Sequence, residues 1–110
     1  MIRMFDESND KMTLDDLAKK VAECFNNEII ENNCSDFEDL KFMMQMTSSD
    51  IKEEIVWNLY DFTKGTGFKV FDSGNIHTPD GENVPYRKFR NMVFKYVKKN
   101  PNYSDDENEK

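Results

Sequence analysis

The residues of this chain best suited to chemistry are few and far apart. His77, the single histidine, stands in "NIHTPDGE" with Asp80 and Glu82 shortly after it. In a folded hairpin such a set can move protons or hold a cation. The same spacing also serves the internal hydrogen bonds of a Pro-Asp-Gly turn, and the nucleophile elbow GxSxG that would give His77 a serine to activate does not occur. Cys24 and Cys34 have no CxxC spacing and no nearby histidine, which argues for reduced thiols over a zinc site or a disulfide framework. "KGTG", residues 64–67, lacks the remainder of a phosphate-binding loop and follows a helical pattern, so it suits a glycine helix cap. Across residues 72–82, Gly74 and His77 stand where a calcium loop needs oxygen ligands. The expectation is a non-enzymatic protein with no catalytic set, no metal and no cofactor.

Charge is a stronger signal than any of these motifs. Residues 1–86 carry −10, residues 87–99 carry +6 and residues 100–110 carry −3, within a total of −7. "YRKFRNMVFKYVKKN", residues 86–100, contains six cations and no carboxylate. At about 100° per residue, Phe89, Met92, Val93, Tyr96 and Val97 fall on one side with Tyr86, and Phe94 falls among Arg87, Arg90 and Lys98 on the other. Three readings follow. The cations balance the acidic helices and the negative end of their own helix; or they neutralise phosphates while Phe94 stacks on a base, making residues 87–99 a nucleic-acid site; or Arg87, Arg90, Phe94 and Lys98 grip an acidic protein. The opposite design uses Asp36, Glu38 and Asp39, the densest carboxylates, as an acidic face that imitates nucleic acid toward a basic partner.

The elements that must position these groups are legible from capping and periodicity. Residues 1–12 read as an N-terminal arm, residues 13–101 as a single α+β domain, and residues 102–110 as a mobile acidic tail. Thr13 with Asp16 forms a capping box, and Leu14, Leu17, Ala18, Val21, Ala22, Phe25 and Ile29 recur at helical intervals behind it. Ser35 with Glu38 predicts a second helix start, its apolar stripe being Phe37, Leu40, Met43 and Met44. A third helix is predicted from Thr47 to the glycines at 65 and 67. Residues 68–84 alternate and hold two turn clusters, predicting a short antiparallel hairpin or meander. Pro85 suits the first turn of a last helix that the Lys98–Pro101 stretch closes.

"FMMQM", residues 42–46, holds more apolar residues than one helix face can bury. Burial by neighbours on several sides is the expected outcome, and an exposed, adaptable binding surface or homodimer seam is the alternative. Trp57 is read as a core or groove anchor. A length of 110 residues bounds the chain to one modest core. No apolar run approaches a membrane span and "MIRMFDESND" has no secretory pattern, so a cytoplasmic location and no membrane partner are expected. The high Asn and Lys content fits an AT-rich bacterial, phage or mobile-element genome. Together these features point to a small acidic adaptor or regulator that binds another protein, with nucleic-acid binding through the basic helix as the alternative.

Overall fold

The computed structural model describes residues 12–101; the expected acidic tail and all of the expected arm except Met12 lie outside the described residues. Thr13 opens the first helix, α1 (Leu14–Glu31). The Asp16 N–H donates to Thr13 Oγ1 at 3.0 Å and the Thr13 N–H donates to Asp16 Oδ2 at 3.2 Å, so two of the N–H groups that a helix start leaves free are satisfied reciprocally. Leu17, Ala18, Val21, Ala22, Phe25 and Ile29 are all buried. Their stripe makes α1 the central element, packed by the three other helices.

The second helix, α2 (Phe37–Met44), begins one residue later than the Ser35–Glu38 pattern implies. Asp36 is the cap: its Oδ1 accepts the Asp39 N–H at 2.9 Å, and Asp39 Oδ2 accepts the Ser35 N–H at 2.9 Å. Asp outcompetes Ser here because a charged acceptor bonds more strongly to backbone N–H and also meets the positive helix end. Only Leu40 of this helix is buried. The third helix, α3 (Ser48–Phe62), has a capping box between Thr47 and Asp50 and buries Ile51, Ile55 and Leu59. Its exit is closed by Thr63, whose hydroxyl donates to the Leu59 carbonyl at 2.6 Å, before either expected glycine is reached.

The alternating segment forms a three-stranded antiparallel meander in the order β1 (Lys69–Val70), β2 (Ile76–His77), β3 (Asn83–Val84). Val70 pairs with Ile76 and Ile76 with Val84, so the apolar members share one face. Ile76 and Val84 are fully buried. Gly74 in the first turn has φ +96°, and a Cβ there would lie 2.9 Å from the Tyr86 ring. Both the backbone conformation and the space demand glycine.

Pro85 stands just before the last helix, α4 (Tyr86–Tyr96), one position outside the first turn expected for it, and makes no side-chain capping bond. The Tyr86 N–H donates to Asn75 Oδ1 at 3.0 Å, tying the helix start to the meander. Phe89 and Val93 are buried against the α1 core. The helix ends at Tyr96, short of the expected Lys98–Pro101 exit, because α1 and the α1–α2 connection claim the chain that follows. Asn26 Oδ1 accepts the Lys98 N–H at 2.7 Å, and Asn100 donates through its backbone to the Ser35 carbonyl at 2.9 Å and through its side chain to the Cys34 carbonyl at 3.0 Å. The main core therefore runs from α1 into α3, α4 and the meander, and a smaller cluster of Ile29, Cys34 and Leu40 lies under the chain's return.

Candidate partner-binding site

The basic face of α4 is arranged differently from a simple helical wheel. Phe94 is half-buried, its ring 5.3 Å from the Phe37 ring. The reason is α2, which brings Phe37 over that side of α4 and covers the ring. The Arg90 guanidinium lies 5.9 Å from the Phe94 centroid, and Arg90 itself is half-buried. Arg87 and Lys98 are exposed. Phe94 and Lys98 line one cavity with Lys99 and Lys41 and also with Asp36 and Glu38 of the expected acidic face, and Phe94 and Arg90 line another with Lys41 and Lys52. Arg87 lines neither, so the structure joins Phe94 to Arg90 in one cavity and to Lys98 in the other, and leaves Arg87 apart. Lys41 and Lys52, contributed by α2 and α3, are the members that a wheel drawn on α4 alone misses.

The acidic trio is also redistributed. Asp36 and Asp39 are half-buried and spent on capping α2. Glu38 is exposed and forms an ion pair with Lys41 at 3.0 Å. One outward carboxylate with a lysine on it presents little negative field, which weakens the case for imitation of nucleic acid at this place.

Apolar exposure is concentrated on α2 and α3. Phe42 is 83% exposed, Met43 and Met44 are each 53% exposed, and Trp57 is 68% exposed. The expected burial of the "FMMQM" stretch is thus confined to Met46, which is half-buried against the core. Phe42, Met43 and Met44 stay open because α2 lends its other side, through Leu40 and Phe37, to the molecule. Trp57 likewise stands outside the core, since Ile51, Ile55 and Leu59 already fill the buried stripe of α3. Its ring meets Tyr60 edge-on at 6.5 Å, and Tyr60 donates to Asp72 Oδ1 at 2.6 Å. A cavity of about 380 Å³ runs beside them, walled by Val56, Trp57 and Tyr60 with Lys52, Glu53 and Asp72 at its rim.

The titratable groups have structural explanations. His77 is half-buried in β2, edge-on to Phe71 at 4.8 Å. The Asp80 carboxylate accepts the Thr78 hydroxyl, which holds it below the usual carboxylate range. Cys24 and Cys34 are free thiols, both pushed up by burial and then by nearby carboxylates. Burial, a hydrogen bond with Glu28 and repulsion from it push the Glu54 carboxyl up to about 8. No group of three or more His, Cys, Asp or Glu side chains among the described residues is placed to hold a metal ion. Among the described residues, no helix is long and apolar enough to cross a membrane.

No protein-family model, curated protein or solved structure matches this chain.

Proposed function

We propose that this chain is a non-enzymatic cytoplasmic adaptor that docks another protein through the exposed apolar side chains of α2 and α3. The observation that carries this reading is the exposure of Phe42, Met43, Met44 and Trp57, each more than half open to solvent. Burying one such side chain stabilises a structure by roughly 1.5–3 kcal/mol, yet this small domain leaves four of them outside. Large exposed apolar residues on a soluble protein mark interaction surfaces, and methionine adapts its shape to the partner it meets.

Charge selects the partner. Residues 13–63, which carry these side chains, hold twelve carboxylates against four lysines, and beyond the trio at the start of α2 the exposed ones include Glu23, Glu31 and Glu53. The complementary ligand is an amphipathic segment with apolar side chains flanked by Lys and Arg, drawn in by long-range attraction and held by apolar contact.

Trp57 is the only tryptophan and so reports on its own surroundings. A synthetic amphipathic helix rich in Leu and Lys is expected to shift Trp57 emission to shorter wavelength on titration, and its Leu/Glu counterpart is not. A Met44→Ser variant should weaken the basic peptide's binding while the fold persists, because Met44 is more than half exposed. An unchanged spectrum with the basic peptide, or an equal response to both peptides, overturns the reading. A shift that depends on protein concentration alone would replace it with self-association.

A further inference from the structure

We propose that the cavity between the start of α3 and the outer side of α4 is a binding site for a phosphate monoester. This inference rests on different residues from the docking surface above. The cavity has a volume of about 380 Å³, and among the described residues no acidic side chain lines it. Lys41, Lys52 and Arg90 enter it from three different helices. Lys52 lies 5.0 Å over the Tyr86 ring, and Arg90 faces Phe94. Glu38 neutralises Lys41 in part from outside the cavity, which leaves Lys52 and Arg90 as its uncompensated cations.

The second observation is an orphan donor. Arg90 Nε is buried and has no acceptor, the one such buried side-chain atom among the described residues. The rest of the guanidinium reaches only a long contact, Nη2 to Asn91 Oδ1 at 3.4 Å. Buried N–H groups in native proteins are paired as a rule, and this one marks Arg90 as a side chain held at the cavity wall without a protein acceptor for its Nε. Ser48 and Ser49 add to the same cavity from the first turn of α3. Their backbone N–H groups, as the first two of a helix, have no acceptor within it, and the positive helix end favours an anion.

The chemical class follows from charge, shape and volume. One lysine and one arginine match the charge of about −1.5 to −2 on a phosphate monoester at neutral pH, the helix end being already met by the Asp50 carboxylate of its capping box, and a single carboxylate would leave them undercompensated. A guanidinium and two backbone N–H groups suit a tetrahedral oxyanion with several acceptor oxygens. The cavity is larger than a bare phosphate needs, and the remaining wall is Ile51, Tyr86 and Phe94, which suits an apolar or aromatic ester group. A small metabolite ester and a phosphorylated side chain of a protein share this chemistry.

The test is an NMR titration of the ¹⁵N-labelled full chain with inorganic phosphate, phenyl phosphate and a short peptide containing phosphotyrosine. Saturable shifts are expected at the Ser48 and Ser49 amides and the Arg90 Nε–H, with phenyl phosphate binding at least about tenfold more tightly than inorganic phosphate, since only the ester fills the apolar wall. Lys52→Gln should weaken binding about tenfold, and Arg87→Gln, an exposed site that lines no part of this cavity, should leave it unchanged. Equal affinity for phenyl phosphate and the peptide assigns the site to free esters, and tighter peptide binding assigns it to phosphorylated protein. Shifts that stay linear in ligand, that scatter over the exposed lysines of α4, or that fall equally in the two variants overturn the proposal.

Discussion

Replacing Glu54 with Gln should make the protein more stable in mild alkali and leave it unchanged in mild acid. Glu54 is half-buried on α3 and shares a hydrogen bond with the Glu28 carboxyl of α1. One proton on the pair allows that bond, and two negative charges would repel across the helix–helix contact. Burial and Glu28 raise the Glu54 carboxyl from 4.5 to about 8 in the folded chain, so between these values the native state holds a proton that the unfolded chain has released. Its stabilising contribution is complete below pH 4.5 and is lost as pH rises through about 8. A shift of that size corresponds to about 5 kcal/mol at 1.36 kcal/mol per pH unit if the site were dry. Solvent reaches this pair and screens it, which reduces the expected effect to about 1–2 kcal/mol. Urea unfolding followed by far-ultraviolet circular dichroism at pH 5, 7 and 8.5 measures it. The parent should lose about 1–2 kcal/mol across that range relative to Glu54→Gln, which keeps the hydrogen bond without the charge. Parallel stability curves for the two proteins would refute the shared-proton contact between α1 and α3.

Two further outcomes separate structural from surface roles. Asp36→Ala removes the cap of α2 and should cost about 1 kcal/mol in denaturant unfolding, with Asp36→Asn retaining most of it, whereas Glu38→Ala on the exposed side should change stability by less than about 0.5 kcal/mol. Thiol labelling of the native protein with Ellman's reagent at pH 8 should modify Cys24 slowly and Cys34 only on unfolding, because Cys34 is fully buried and burial and carboxylates hold both thiols protonated. Rapid reaction of both would mean that the small cluster around Cys34 opens easily.

The redistribution of the acidic trio shows why local sequence patterns mislead about surfaces. In the sequence Glu38 pairs with Ser35 as the expected capping partner, and Asp36 and Asp39 stand beside it as free carboxylates. A one-residue change in where α2 starts turns Asp36 and Asp39 into caps and leaves Glu38 outward. Phe94 shows the same effect through packing. The α4 periodicity puts it among cations, and α2 then lays Phe37 against it at 5.3 Å. In the other direction, the cationic cavity was invisible along the chain because Lys41, Lys52 and Arg90 are separated by up to 49 positions, with no shared motif to join them.

What the sequence by itself determined is the set of elements and the starts of α1 and α3. The Thr13 and Thr47 capping boxes, the stripe of α1 and the turn residues of the meander are interactions between residues at most four apart, or backbone preferences of a single residue, so they are legible without the fold. Tertiary structure alone decided which apolar residues are covered, where α4 stops and which charges meet. Periodicity assigns each side chain to a face, but burial depends on whether another element arrives over that face. Here α1, α3 and α4 fill the core with one stripe each, Asn26 and Asn100 take the chain leaving α4, and Phe42, Met43, Met44 and Trp57 are left with no element among the described residues to cover them.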